Sequence, residues 1–360
     1  MTSNIIPLIR RVVSVTNGED YPKLVEWLKS LSESDFSVLA TTSQTGEHII
    51  ASDTATHLEA SLEDFEKHAG VALTIWPPVV SYYETVNAQS TAAAVCKSPN
   101  KHNRICIVAE PIHDDLSLAI ETGRIGNDTD LKTRATILVD EFGWDATDVQ
   151  KIWAFGPDGA KANMLVDQTS AVQNLNDIKD AIIDAFERAT AQGPVTEEPM
   201  RGVRFSITDA TVHAEATHRS NAQILCAARN AMHASTLLSE PSLLEPIYEV
   251  KIEGPESSKV GIYHSVTLGR GEVIDEQPCD GTSLCRWKAH LPVDASFEFK
   301  TRLESVAGEQ AKVLYTFSHW ELIGDVTMHG HRAHAVARNI RQTKHLKSDL
   351  PRVEDYAVLE

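Results

Sequence analysis

The order of predicted secondary-structure elements most constrains the fold, because the same order occurs near both ends of the chain. Apolar, β-branched runs and helically spaced runs follow one another as β-α-β-β-α-β over residues 8–76, and residues 247–318 repeat that order. It is the order of the ferredoxin-like split βαβ unit. In the first segment, strands are predicted at 8–15, 38–42, 48–52 and 71–76 and helices at 21–31 and 58–68. In the second, strands are predicted at 247–252, 283–291 and 311–317 and a helix at 295–306.

The middle of the chain, residues 79–245, predicts a larger α/β segment. Residues 105–110 form a predicted strand, and helical spacing marks 117–121, 132–140 and 169–190. Residues 331–347 also have helical spacing, and we expect them to pack back on the middle segment. The fold class is therefore predicted as α+β, with two ferredoxin-like domains flanking a larger α/β domain.

Composition and charge narrow the class of protein. The chain of 360 residues is 42% hydrophobic and has a net charge of −18, and no run approaches the length of a membrane span. The N-terminus has no secretory pattern, and the five cysteines are scattered without a C-x-x-C pair. We therefore expect a cytoplasmic protein without membrane contact, structural zinc or disulfides. A field of this sign repels nucleic acid, so an RNA contact would need a local basic patch, for which 97–104 and 331–347 are the candidates.

Signatures of enzymes and cofactor sites are mostly missing. No Gly-Lys pair occurs, so the phosphate-binding loop of nucleotide hydrolases is absent from this sequence. His329, His331 and His334 lack accompanying cysteine or carboxylate ligands at metal-site spacing. Lys97 beside Cys96 is expected to lower the pKa of that thiol, but no base accompanies it. We predict no catalytic residue, no metal and no cofactor.

A polar stretch in the middle segment is the candidate functional loop. Residues 209–223 carry His213, His218 and Arg219 between two apolar runs. Exposed loops on a rigid scaffold are where function concentrates. The competing interpretation is a surface turn with two incidental histidines.

Several stretches together resemble elongation factor 2, the translocase of eukaryotic ribosomes. They are residues 77–86 (PPVVSYYETV), 97–104 (KSPNKHNR), 151–153 (KIW), 155–159 (FGPDG), 200–205 (MRGVRF) and 317–320 (FSHW). The resemblance covers domains III, IV and V of that family. It implies a domain III-like part at 1–77, a domain IV-like part of the ribosomal protein S5 domain 2-like type at 78–245 plus 320–360, and a domain V-like part at 246–319.

The resemblance also implies a function and a site. In the family, domain IV enters the decoding site, and its end bears a histidine that is modified to diphthamide; His218 matches that position. The resemblance implies contacts to ribosomal and transfer RNA. The residues predicted to make them are Lys97, Ser98, Pro99, Asn100, Lys101, His102, Arg104, His213, His218 and Arg219.

Departures from the family pattern qualify the function. The GTPase domain and domain II are not in this sequence, so we expect no GTP site and no GTPase activity. The family has three glycines after the modified histidine and its arginine, where this chain has Ser220, Asn221 and Ala222, which predicts a changed loop shape. The stretch 54–59 (TATHLE) and the pair Gly308-Glu309 also differ from the family motifs.

Three interpretations stay open at this point. The first is a ribosome-binding module related to the translocase. The second is a decoy or self-resistance protein that sequesters a toxin or a sordarin-type inhibitor of elongation factor 2. The third is a fragment of a full GTP-dependent translocase.

Overall fold

The computed structural model describes residues 7–35, 37–42, 46–157, 162–279, 282–308 and 311–357. Its backbone divides into two compact units. The first unit comprises Met1–Tyr82 and Glu245–Glu321, and the second comprises Tyr83–Leu244 and Leu322–Glu360. Parts of two sequence motifs fall outside the described residues, namely Asp158 and Gly159 of the FGPDG stretch at 155–159, and Glu309 of the pair Gly308-Glu309.

The N-terminal half of the first unit has the predicted ferredoxin-like order. Its elements are β1 (Ile9–Val15), α1 (Tyr21–Ser34), β2 (Val38–Thr42), β3 (His48–Ser52), α2 (Ala55–Ala69), β4 (Leu73–Ile75) and β5 (Val79–Val80). The sheet order is β2-β3-β1-β4, with β5 also paired to β1. The side chain of Thr54 accepts a hydrogen bond from the His57 amide and caps α2 at its start, and Gly70 ends it in the left-handed conformation at φ 62°.

The C-terminal half of the first unit repeats this topology. It contains β12 (Pro241–Pro255), α8 (Lys259–Leu268), β13 (Glu272–Pro278), β14 (Leu284–Pro292), α9 (Val293–Ala307) and β15 (Lys312–Asp325), where β6–β11 and α3–α7 belong to the second unit. The sheet order β13-β14-β12-β15 is again second, third, first and fourth strand. The ferredoxin-like prediction is confirmed for both segments. Strands β12 and β15 are longer than predicted, and residues 241–244 of β12 and 322–325 of β15 belong to the second unit.

The second unit is built on a mixed five-stranded sheet. Its elements are β6 (Tyr83–Val86), β7 (Ala94–Lys97), β8 (Arg104–Pro111), α3 (Asp114–Glu121), α4 (Leu131–Asp140), α5 (Ala146–Val149), β9 (Ile152–Gly156), β10 (Asn163–Asp167), α6 (Lys179–Ala191), β11 (Val203–Thr211), α7 (Asn221–Leu237) and α10 (Arg332–Thr343). The sheet order is β7-β8-β11-β10-β9, with β10 and β11 parallel and the other neighbours antiparallel.

Two apolar cores lie on opposite faces of this sheet. One core combines Phe186 of α6 and Ala228 of α7 with Phe205 of β11. The other combines Leu138 of α4 with Met164 of β10. Side chains of successive strand residues point to opposite faces, so Met164 and its neighbour Leu165, which belongs to the first core, separate the two. The sheet is therefore buried on both sides and forms a rigid support for the loops at its ends.

The predicted start of one helix is wrong. The spacing predicted a helix over residues 169–190, whereas α6 begins at Lys179 after a short 3-10 helix at Leu175–Ile178. The side chain of Asp167 accepts the amide of Thr169, and Ala171 and Asn174 have φ values of 56° and 59°. These left-handed residues cannot continue a right-handed helix, so the helix starts only after them.

The basic C-terminal segment packs within the second unit, as predicted. The guanidinium of Arg341 donates hydrogen bonds to the carbonyl oxygens of Val195 and Lys347. Lys344 donates to the carbonyl of Glu197 and lies 2.9 Å from the carboxylate of Glu198. Two cations of the second candidate RNA patch therefore hold the fold together, and this segment does not present them as a basic surface.

No helix in the part of the chain that the structure describes is both long enough and apolar enough to cross a bilayer.

Candidate functional site

The register of two neighbouring strands brings two distant loops to one edge of the second unit's sheet. Strands β8 and β11 are antiparallel, and Arg104 at the start of β8 pairs with Thr211 at the end of β11. The turn that precedes β8 and the loop that follows β11 therefore leave the sheet side by side. We call residues 97–104 and 213–219 together the tip.

The turn between β7 and β8 is held by a buried hydroxyl. Ser98 is 1% exposed, and its Oγ donates to Oδ1 of Asn100 at 2.6 Å and accepts from the amide of Asn103 at 3.0 Å. The amide of Lys101 donates to the carbonyl of Ser98 at 2.7 Å, and Lys101 has a φ of 62°. The turn is thus closed from inside, and this leaves Pro99, Lys101 and His102 exposed.

Two asparagine side chains join the turn to the second loop. Nδ2 of Asn100 and Nδ2 of Asn103 both donate to the carbonyl oxygen of His218, at 2.7 and 2.9 Å. Oδ1 of Asn103 accepts the amide of His213 at 3.0 Å, and Oε1 of Gln223 accepts the amide of Asn100 at 2.8 Å. Because Asn103 is only 1% exposed, its bonds are shielded from water and couple the two loops into one structure.

Three imidazole rings meet on the outer side of the tip. The ring centroids of His102 and His218 are 4.5 Å apart, those of His213 and His218 4.6 Å, and those of His102 and His213 5.2 Å. The His218 side chain is 40% exposed, and its Nε2 lies 3.4 Å from a carboxylate oxygen of Glu215. The cluster is thus partly open to solvent.

The two arginines of the tip are engaged in internal contacts. Arg104 pairs with Asp209 at 2.8 Å. Arg219 pairs with Asp177 at 2.6 Å, and its Nη1 donates to the carbonyls of His213 and Ala214 at 2.9 and 2.7 Å. With only 15% of its side chain exposed, Arg219 holds the second loop in place.

The residues at the positions where the resemblance implies glycines form the start of a helix. Ser220 is the residue before α7, with φ −59° and ψ 153°, and Asn221 and Ala222 are its first two residues. None of the three has a positive φ, so the conformation here does not need glycine. Ala is also the best helix former, which favours the start of α7 directly behind the tip.

The structure brings together all the residues predicted from the resemblance. Lys97, Ser98, Pro99, Asn100, Lys101, His102 and Arg104 lie on the first part of the tip, and His213, His218 and Arg219 on the second. Sequence reasoning did not single out Asn103, Gln223 or Asp177, although all three position tip residues. Asn103 lies inside the quoted stretch 97–104, but nothing in the sequence indicates that Asp177 reaches Arg219.

Other candidate chemistry does not gather around the tip. Burial raises the pKa of Cys96 to about 12, so the expectation that Lys97 lowers it is wrong. Among the described residues, no group of three or more histidine, cysteine or acidic side chains has a geometry that could hold a metal ion. Two surface cavities of about 330 and 380 Å³ are lined by other residues.

Comparison with known protein families gives two matches. Residues 125–240 match the model of elongation factor G, domain IV. Residues 242–329 match the model of the elongation factor G C-terminus. The first match contains the second loop of the tip, and the second contains β12 without Pro241 and continues through the whole of β15.

Proposed function

We propose that this chain, in which residues 125–240 and 242–329 match the models of elongation factor G domain IV and of the elongation factor G C-terminus, is a ribosome-binding module related to the translocase. In this proposal the tip contacts ribosomal and transfer RNA at the decoding site. The chain works without GTP hydrolysis of its own, since it has no phosphate-binding loop, and needs no cofactor. The finer kinship, to the eukaryotic factor 2, rests on the quoted sequence stretches.

The observation that carries the proposal is the double hydrogen bond from Asn100 and Asn103 to the carbonyl of His218. It fixes the two loops before any partner arrives. A surface that is already ordered loses less conformational entropy on binding. The structure therefore supports a preformed projection whose outer side chains, among them Pro99, Lys101 and His102, are available for contact.

The local charge of the tip also supports an RNA contact. Lys101 is exposed on a turn of a chain whose net charge is −18. Contacts to phosphate position a protein on RNA. Cationic side chains supply these contacts, and the affinity that they provide falls as the salt concentration rises. We therefore propose an RNA-binding surface that is confined to the tip.

His218 is the proposed modification position, by its match to the diphthamide histidine. Its backbone carbonyl is fixed by two donors, while its side chain is 40% exposed. Mass spectrometry of the peptide that carries His218, from the native source, tests this assignment. An unmodified peptide would contradict the proposed modification of His218 and would not bear on ribosome binding.

Co-sedimentation with purified ribosomes tests the function. At low salt the chain is expected to sediment with ribosomes, and Lys101→Glu is expected to weaken its affinity about tenfold, because the change places a negative charge against phosphate. Lys300→Glu is the matched control, since Lys300 is exposed on α9 of the first unit. A chain that stays in the supernatant at low salt contradicts the proposal, as does an equal loss in both variants.

A further inference from the structure

The C-terminal sheet of the first unit carries a surface cavity of about 330 Å³. Residues of all four strands of that sheet, β13, β14, β12 and β15, line the cavity. Ile252 of β12 and Trp287 of β14 are buried. Because successive strand residues point to opposite faces, the side chains of their neighbours Lys251 and Lys288 lie on the open face. The cavity is therefore a trough in the exposed face of the sheet.

The trough is lined by more cations than carboxylates, in a chain whose net charge is −18. Among the described residues, its charged lining consists of Lys251, Arg286, Lys288, Lys312, Glu253 and Asp275. Arg286 and Glu253 form an ion pair at 2.8 Å. Lys251 and Lys288 share one further carboxylate, that of Glu249, at the longer distances of 3.4 and 3.9 Å. The charges of these lysines are thus compensated less completely than that of the arginine.

Two of the lysines face each other across neighbouring strands. Lys251 of β12 is directly opposite Lys288 of β14, so that their Cβ atoms are about 5 Å apart. Like charges at directly opposite positions destabilise a sheet. An anion that lies between the two ammonium groups would turn this repulsion into attraction.

A third lysine and an exposed apolar side chain border the same trough. Lys312 and Leu314 belong to β15, on the other side of β12 from β14. The pKa of Glu253 is lowered by the hydrogen bond from Arg286, and the charges of Arg286 and Lys312 contribute to this. The ammonium group of Lys312 is therefore directed toward the trough. Leu314 is 59% exposed and offers an apolar surface beside the cations.

The size and the acidic residues of the trough favour a short ligand. Its volume is at the lower end of the range of small-molecule sites, about 300–1,000 Å³. Glu253 and Asp275 lie among the cations, and they would repel successive phosphates of a nucleic-acid strand that ran along the sheet. A short anion needs contact only with the lysines.

We propose that this trough binds a small anion with two linked phosphate groups and a planar base, which is the chemistry of a nucleoside diphosphate. The phosphates accept hydrogen bonds from Lys251, Lys288 and Lys312, and the base packs on Leu314. The site is one of binding alone, without a reaction. It belongs to the first unit, whereas the tip belongs to the second, so the proposal does not rest on the proposed function.

Isothermal titration calorimetry of the full chain at low ionic strength tests the site, with ADP and inorganic pyrophosphate as ligands. Both are expected to bind. Lys288→Gln is expected to weaken both about fivefold, the value of one charge at an exposed contact. Leu314→Ser is expected to weaken ADP about fivefold through lost apolar contact and to leave the affinity for pyrophosphate unchanged.

Thermal unfolding without ligand distinguishes a binding role of Lys288 from a structural one. Lys288→Gln removes the like-charge pair and leaves Lys251 beside Glu249, so it is expected not to lower the unfolding midpoint. Lys300→Gln, at an exposed position of α9, is the matched control and should bind ADP as the wild-type chain does. Lys101→Glu, on the tip, should also keep its affinity for ADP.

Three results would overturn the proposal. The first is the absence of binding of both ligands to the wild-type chain, and the second is an equal affinity for ADP in the wild-type chain and in the double variant Lys288→Gln, Lys312→Gln. The third is a single-stranded RNA that binds through these lysines when neither small ligand does, because the trough would then be a nucleic-acid surface. Co-sedimentation with ribosomes is measured separately, so these results leave the proposed function in place.

Discussion

The side-chain amide of Asn103 donates to the backbone carbonyl of His218 across 2.9 Å, although 115 residues separate the two in the chain. The side-chain oxygen of Asn103 accepts a hydrogen bond from the backbone amide of His213. One buried side chain thus uses a donor and an acceptor to fix the loop that carries two histidines of the tip.

Replacement of Asn103 by aspartate is expected to unlock the tip. The new carboxylate has the same shape, but it cannot donate to the His218 carbonyl and faces it with a negative charge. A buried polar group that loses its partner costs about 1–3 kcal/mol, and a charged one costs more. Urea unfolding checks the stability, and co-sedimentation at low salt checks the expected loss of ribosome affinity. Asn339→Asp, on the exposed face of α10, is the control; equal midpoints for both variants would contradict the assigned role.

Arg219 is expected to act on stability more than on direct RNA contact. Its guanidinium contacts two carbonyls and Asp177, and lysine cannot reproduce this fork of donors. Arg219→Lys should lower the free energy of unfolding by about 1–2 kcal/mol. The expected loss is no larger because Asp177 is 51% exposed, and solvent weakens an ion pair at an exposed carboxylate. Arg338→Lys, at an exposed position of α10, should be nearly neutral. If Arg219→Lys instead weakens binding without a change of stability, the arginine contacts RNA itself.

Glu84 should make the second unit less stable as pH rises. Its carboxylate is fully buried and accepts bonds from the amides of Val195 and Thr196 and from the Thr196 hydroxyl. Burial raises its pKa from 4.5 to about 7. The native state therefore holds this proton at pH values where the unfolded chain has released it, so stability falls between about pH 4.5 and 7. The loss amounts to about 3 kcal/mol.

Thermal unfolding at several pH values measures this contribution. Glu84→Gln is expected to flatten the stability profile between pH 5 and 7.5 relative to the wild-type chain, and the difference between the two curves removes the effect of other groups. One such group is His233, whose pKa is lowered by burial to about 4. Because the unfolded chain binds this proton more readily, the contribution of His233 to stability rises with pH between about 4 and 6.5. Parallel profiles for wild type and variant would show that Glu84 does not titrate in this range. Glu354→Gln, at an exposed position, should leave the profile unchanged.

Gly193 is expected to tolerate no side chain. A Cβ atom there would lie 2.3 Å from Oε2 of Glu84, inside van der Waals contact, and the buried carboxylate is held in place by its hydrogen bonds to Val195 and Thr196. Gly193→Ala should therefore destabilise the chain by about 1–3 kcal/mol, the usual cost of overpacking. The control is Gly18→Ala, where a Cβ would meet nothing within 4 Å. A stable Gly193→Ala protein with an unchanged unfolding midpoint would show that the loop around residue 193 adjusts freely.

Local patterns in the sequence were sufficient for most of the fold. The strands Val38–Thr42 and His48–Ser52 have the predicted limits, because alternation and helical spacing reflect burial on one face, which neighbouring residues share. The start of α6 was missed because Ala171 and Asn174 adopt left-handed conformations. The spacing of apolar residues along the chain does not indicate whether a residue other than glycine adopts a left-handed conformation.

By itself the sequence determined the two ferredoxin-like repeats, the absence of a phosphate-binding loop and, through quoted motifs, which two stretches belong to the tip. Only the tertiary structure decided which of their charges face outward. Arg104 and Arg219 are paired, Asn103 is buried between the loops, and three imidazoles meet. The hydrogen bonds from Asn100 and Asn103 to the His218 carbonyl join residues 118 and 115 positions apart. They depend on the register of β8 against β11, which sets distances in space that spacing along the chain does not encode.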